Sequence, residues 1–127
     1  MKIAVIGGRD FNDYSALAFI VSEYKPSMLI SGGAKGADSL AEKFSRDFGT
    51  PIKVYRANWN DFTPPCRVLK HKRGGQMYNA LAGMNRNTKI IEDCDMVIAF
   101  WNGISTGTKD SIDKAKTLGK KVVVIPY

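Results

Sequence analysis

Three glycine-rich stretches hold the residue types that seat an anion such as phosphate. Ser31-Gly32-Gly33-Ala34-Lys35-Gly36-Ala37-Asp38 is the central one, Gly7-Gly8-Arg9-Asp10-Phe11 precedes it, and Gly103-Ile104-Ser105-Thr106-Gly107-Thr108 follows. Glycine has no Cβ, so backbone N–H groups in such a turn can approach a ligand closely. A helix that opens directly after the turn adds free N–H groups and the positive end of its dipole. Arg9 and Lys35 bring positive charge to two of the turns. The central stretch alone fits two readings: a phosphate cradle, or glycines serving only a tight turn and close helix–strand packing. Arg9 either neutralises a phosphate or covers the sheet end. Asp38 either caps free N–H groups of the following helix or reaches a ribose hydroxyl or a reacting centre.

The elements that must position these turns follow from hydrophobic spacing. Lys2-Ile3-Ala4-Val5-Ile6 is a compact run that stops at Gly7-Gly8 and reads as a buried first strand. Asn12 or Asp13 caps a helix with Leu17, Ile20, Val21 and Tyr24 on one face, and Pro26 ends it. Ser27 to Ile30 is a second strand feeding the central turn. The helix after that turn shows Ala37, Leu40, Ala41, Phe44 and Phe48 on one face and stops at Gly49. Pro51 to Tyr55 is a third strand. Asn58 to Asp61 and the Pro64-Pro65 pair mark a loop, and the stretch from there to Gly74-Gly75 has no clean periodicity and reads as mostly irregular and mobile. Met77 to Asp93 reads as helix, interrupted at Gly83, with Arg86 and Asn87 early in its second part. Asp95 to Phe100 is a fourth strand, nearly all apolar as a central parallel strand should be. A helix with Ile112, Ala115 and Leu118 and a last strand Lys121 to Ile125 complete the chain. Alternation of this kind predicts an α/β three-layer sandwich with a parallel sheet. All three glycine turns then lie at the carboxyl edge of the strands, where ligands of such sheets bind.

The 127 residues suit a single domain, and 44% apolar against 24% charged is ordinary for a soluble globular protein. No apolar run reaches membrane-helix length and the amino terminus lacks a signal-peptide pattern, so the expectation is a cytoplasmic protein with no membrane partner. Cys66 and Cys94 have no CxxC spacing, and His71 is the sole histidine, so no metal site and no disulfide framework are expected. Cys94 reads as a small packed hydrophobe. The net charge of +7 is uneven: Arg67, Lys70, Lys72 and Arg73 fall between Phe62 and Leu81 with no acid among them. That segment is a lid over a polyanionic ligand, a partner surface or a solvated loop.

Five motifs in order, Gly7 to Phe11, Ser31 to Asp38, Ala57-Asn58-Trp59, Arg86-Asn87 and Gly103 to Thr108, resemble the SLOG superfamily, in particular its small YspA-like Rossmann-like branch. Relatives of that superfamily include the lonely-guy phosphoribohydrolases, the DprA DNA-processing proteins and nucleotide-sensing domains of bacterial conflict systems. The resemblance implies a five-stranded sheet in the order 3-2-1-4-5 and a nucleotide or NAD-derived ligand such as an ADP-ribose-like molecule. It also implies a homo-oligomer, with Arg86 of one subunit near another's pocket. Three features depart from the family. The phosphoribohydrolases carry Gly-Gly-x-Gly-Thr-x-x-Glu, whereas here the residue three past Thr108 is Ser111 and the neighbouring acid is Asp110. One position along a helix turns a side chain by roughly 100°, so Asp110 is a poor substitute for the glutamate. Arg86 is followed by Asn87 where the family has lysine, and the basic segment at about 62–81 is an insertion within the single domain.

Three functions follow. The first is binding, to sense or sequester a signalling nucleotide with no further cofactor. Its phosphates would lie on Gly32 to Gly36 and on Gly103 to Thr108, with Arg9 and Arg86 offsetting their charge. Ser31, Asn87, Ser105, Thr106 and Gly107 join that site through their motifs. Trp59 or Trp101 either stacks a base or packs in the core. The second is a hydrolase of an N-glycosidic or phosphate-ester bond, with Asp38 or Asp110 as general acid or base and Arg86 stabilising departing charge. No histidine or second acidic motif speaks for it. The third is DNA binding by Arg67, Lys70, Lys72 and Arg73, with Tyr78 as a stacking residue.

Overall fold

The structure, a computed structural model, describes residues 1–127. In chain order the elements are β1 (Lys2–Gly7), α1 (Tyr14–Glu23), β2 (Met28–Ser31), α2 (Ala37–Phe48), β3 (Ile52–Val54), β4 (Val68–Lys70), β5 (Met77–Asn79), α3 (Ala82–Asp93), β6 (Met96–Trp101), α4 (Thr106–Thr117) and β7 (Lys121–Pro126). Five strands form an all-parallel sheet in the order β3-β2-β1-β6-β7. Counted among themselves these strands run 3-2-1-4-5, the order the resemblance implied. The chain winds outward from β1 in both directions, so the switch point falls between β1 and β6.

Register divides the core. Ile3 lies opposite Leu29 and Met96, and Ala4 opposite Ile30 and Val97. Side chains alternate along a strand. Ile3, Val5, Leu29, Met96 and Ile98 therefore pack with Leu17 and Val21 of α1 and Ala41 and Phe44 of α2. Ala4, Ile6, Ile30, Val97 and Ala99 pack with Ile90 and Ile91 of α3 and Ile112 and Ala115 of α4. Each fully buried aliphatic side chain contributes roughly 1.5–3 kcal/mol, which fixes the sheet and with it the turns at its carboxyl edge. Asp13 caps α1 by accepting the Ala16 N–H at 3.1 Å, and Gly49 closes α2 in the left-handed conformation at φ +69°. Cys94 is buried in the second cluster.

The segment Phe62 to Leu81 is more ordered than its sequence predicts. β4 and β5 pair antiparallel, with Leu69 opposite Tyr78, around a reversal at Gly74 and Gly75, whose φ values are +77° and +62°. Met77 is thus a strand residue, and α3 starts only at Ala82. Gly83 sits in the first turn of α3 without breaking it; a β-carbon there would meet Trp59 Cη2 at 3.4 Å, so its face is covered by a ring. Asn79, fully buried, ties the insertion together. Its Nδ2 donates to the Asp61 carbonyl at 2.9 Å, while Oδ1 accepts from the N–H groups of Arg67 at 3.1 Å and Leu81 at 2.9 Å. Two helix-face expectations also change. Phe48 stacks on Phe44 at the end of α2 but is 59% exposed, and Leu118, just past α4, is 53% exposed. Phe48 is the last residue of α2, and Leu118 the residue after the last of α4.

Candidate functional site

All three glycine turns meet at the carboxyl edge of the sheet around a cleft of about 500 Å³. Gly7, Gly8 and Arg9 line it from the β1 turn, Gly32 and Asp38 from the β2 turn, and Ser105, Thr106, Gly107 and Thr108 from the start of α4. Arg86 and Asn87 reach it from α3.

The central turn is held by its own chain. The Gly33 N–H donates to Ser31 Oγ at 3.4 Å and the Ala34 N–H to Asp38 Oδ2 at 3.1 Å. Arg86 Nη1 donates to the Gly32 carbonyl at 2.6 Å, and Arg56 Nη1 to the Gly33 carbonyl at 3.2 Å. Gly36 serves packing: its φ is +76°, and a β-carbon would strike the backbone of Gly8 and Arg9. The Ala37 N–H at the head of α2 donates to the Gly8 carbonyl at 3.3 Å. Two donors of the expected cradle, at Gly33 and Ala34, are therefore already engaged.

A pair of free donors lies at α4. Ser105 caps that helix, its Oγ accepting the Thr108 N–H at 3.4 Å, and Asn102 Oδ1 accepts the Ser105 N–H at 2.9 Å. The N–H groups of Thr106 and Gly107 between them have no partner in the chain. They stand in the first turn of a twelve-residue helix, at the positive end of its dipole.

Charge around the cleft is graded by burial. Arg9 is exposed and makes no ion pair, whereas Arg86 is half-buried, and burial lowers its pKa from the usual guanidinium range. Asp38 is buried. Burial pushes its carboxyl above the ordinary range, while the Ala34 N–H and the charge of Arg86 act in the opposite sense. Asp10 accepts the Tyr127 hydroxyl at 2.5 Å, and burial with this bond pushes that phenol up to about 12.

Several expected residues lie elsewhere. Asp110 bonds Lys114 at 2.8 Å and borders a different depression with Thr88 and Leu118, so it does not face the cleft. The position expected for a glutamate is Ser111, which is buried and lines the cleft. Trp101 closes the β6 turn by donating from Nε1 to the Ser105 carbonyl at 3.0 Å. Ser31, Gly33, Lys35, Gly36 and Gly103 are outside the lining, and Gly103 is required by its φ of +81°. Trp59 borders a second cavity with Arg9. Asp10, Asn102 and Arg56 were not singled out for the site. The first two lie inside or beside quoted motifs, and Arg56 follows the third strand with nothing in the sequence to mark it. No group of three His, Cys, Asp or Glu residues is arranged to hold a metal ion.

Residues 1–62 match the model of the YspA, cpYpsA-related SLOG family. The match stops just short of the middle of the chain. The matched segment carries β1 to β3 and the first two glycine turns, while Arg86, the hairpin and the free N–H groups of α4 lie beyond it. No curated protein matches the chain. Among solved structures, DNA processing protein A (DprA) from Streptococcus pneumoniae superposes with a TM-score of 0.75 at 21% identity, covering 99% of this chain and 50% of that one. DprA from Helicobacter pylori, described for its single-stranded DNA binding mode, gives 0.67 at 21% identity over 100% of this chain and 66% of that one. The likeness is one of fold, and the chain spans half to two thirds of those proteins' length. No helix is long and apolar enough to cross a membrane.

Proposed function

We propose that the cleft binds a nucleotide-class ligand, an ADP-ribose-like molecule or a related phosphate ester, and that the protein senses or sequesters it. The observation that carries this reading is the pair of unpartnered N–H groups at Thr106 and Gly107, opening into the cleft with Arg9 and Arg86. Free N–H groups at a helix start and guanidinium groups are complementary to phosphate oxygens. Of the two acids expected to act as general acid or base, only Asp38 lines the cleft, and it is buried against the turn it holds.

Thr106→Pro tests the reading cleanly. Proline removes one N–H, is favoured at the first position of a helix, and follows Ser105, whose φ of −56° and ψ of 116° suit a residue before proline. Calorimetric titration with AMP, ADP and ADP-ribose should show binding weakened about tenfold or more by the substitution, with unchanged thermal stability. Unchanged affinity would remove α4 as the phosphate seat, and no binding by the native protein would remove the reading altogether. Recovery of cleaved ligand would move the function to the hydrolase.

A second reading is single-stranded DNA on the hairpin. Its support is the cluster Arg67, Lys70, Lys72 and Arg73, which makes no ion pair, on a fold shared with a DNA-binding protein. Binding that falls steeply with salt and survives Thr106→Pro would favour it.

A further inference from the structure

Beside the cleft lies a second cavity of about 500 Å³, lined by Trp59, His71, Met77 and Tyr78 and closed on the cleft side by Arg9. Arg9 borders both spaces. Its aromatic wall is partly committed: His71 and Tyr78 stack with ring centres 4.3 Å apart, and Trp59 meets Tyr78 edge-on at 6.4 Å. Trp59 remains 42% exposed. The wall is also tied to the cleft through α3. A β-carbon on Gly83 would stand 3.4 Å from Trp59 Cη2 and 3.9 Å from Arg86 Nη2, so the indole and the cleft arginine share one patch of helix surface. Two cavities separated by a cation, one with free phosphate donors and the other with an aromatic wall, are complementary to two nucleosides joined through phosphate.

We infer that the second cavity takes the second base of a dinucleotide whose first half occupies the cleft, with Trp59 as the stacking surface and Arg9 beside the linking phosphates. This rests on the nucleotide reading of the cleft and narrows its ligand class. Stacking on a flat ring tolerates any base, so Trp59 adds affinity and leaves base identity to the polar groups around it.

The test compares AMP, a pyrophosphate-linked dinucleotide (P1,P2-diadenosine diphosphate) and a phosphodiester-linked one (ApA), titrated by tryptophan fluorescence and calorimetry into native protein, Trp59→Ala, His71→Ala and Thr106→Pro. Native protein should bind one of the dinucleotides about tenfold more tightly than AMP, and the tighter one identifies the linkage. Trp59→Ala should erase that advantage while AMP affinity stays the same. His71→Ala, an exposed change on the hairpin, should reduce the advantage and guards against misfolding of the tryptophan variant. Thr106→Pro should weaken all ligands alike. Equal affinity for AMP and both dinucleotides overturns this inference and leaves the cleft reading standing. Failure of every ligand to bind overturns both. Trp59-dependent binding of an oligodeoxynucleotide that ignores Thr106→Pro overturns the inference by assigning the wall to a DNA strand.

Discussion

Arg86 and Asp38 approach Gly32 from two sides. A β-carbon on that glycine would lie 2.8 Å from Arg86 Nη1 and 2.9 Å from Asp38 Oδ2. The glycine is thus the gap through which a cation from α3 and an anion from α2 come near each other. Arg86 spends one donor on the Gly32 carbonyl and another, Nε, on Asn87 Oδ1 at 2.9 Å. Asn87 therefore orients the arginine, a role to which the asparagine amide is well suited.

Asp38 gives the cleft a pH signature. Its folded pKa is raised above the ordinary 3.8, with burial as the largest cause, so the folded state binds this proton more strongly than the unfolded chain. The stability contribution of Asp38 therefore falls as pH rises from the ordinary value to the raised one, and stays constant above it. Asp38→Asn keeps an oxygen for the Ala34 N–H and removes the buried charge. It should melt higher than the native protein at neutral pH, with the difference closing as pH falls below 4. A variant that melts lower at neutral pH would show that the charge is fully compensated by Arg86. Melting curves across pH read the outcome.

Two glycines with positive φ should respond differently to alanine, Gly36 at ψ −127° and Gly49 in the left-handed region at ψ 19°. Gly36 at φ +76° would place a β-carbon 2.7 Å from Arg9 carbonyl atoms, whereas Gly49 at φ +69° has nothing within 4 Å. Gly49→Ala should cost only the left-handed backbone, about 1–2 kcal/mol. Gly36→Ala combines a collision with the first turn and a backbone that side chains other than glycine rarely adopt, and should cost roughly 2–5 kcal/mol. Urea unfolding of both variants gives the comparison; equal costs would mean that the first two turns separate easily.

Asp93 shifts in the sense opposite to Asp38. Lys2 Nζ donates to it at 2.7 Å and Tyr55 Oη at 2.9 Å, and Lys53 stands 3.4 Å away. The Lys2 bond, then that of Tyr55, holds its carboxyl down to about 2 against the effect of burial. A depressed carboxylate adds stability that is present above the ordinary value and lost as pH falls from 3.8 towards 2. Asp93→Asn should lower the melting temperature at neutral pH, less so in high salt because both lysines are largely exposed. The difference from the native protein should vanish near pH 2. Persistence of the full difference at that pH would assign the loss to the neutral hydrogen bonds.

The parallel sheet was legible because β1 and β6 are unbroken apolar runs and each glycine turn ends a strand. The cleft's outline followed from the same fact. What periodicity missed is the hairpin: β4 and β5 are three residues each, too short to show alternation, and their order rests on buried Asn79, which joins backbone groups at Asp61 and Arg67 to that of nearby Leu81. The division of labour among the glycine turns was also hidden. Ser31, Asp38, Arg56 and Arg86 engage the central turn only after the fold brings them together, and the N–H groups of Thr106 and Gly107 stay without a partner. Asp110 and Ser111 illustrate the same limit. Adjacent in sequence, they lie on different sides of α4, one on Lys114 and one in the cleft.

The bonds around Lys2 have an evolutionary corollary. Its N–H donates to Asp95 at 2.6 Å and its ammonium to Asp93, both at the strand starts, while the cleft lies at the strand ends. Fastening and recognition are thus written into opposite rims of one sheet. Descendants of such a chain are free to trade one set of turns for another, and so to acquire new ligands, while the rim that fastens the strands stays as it was.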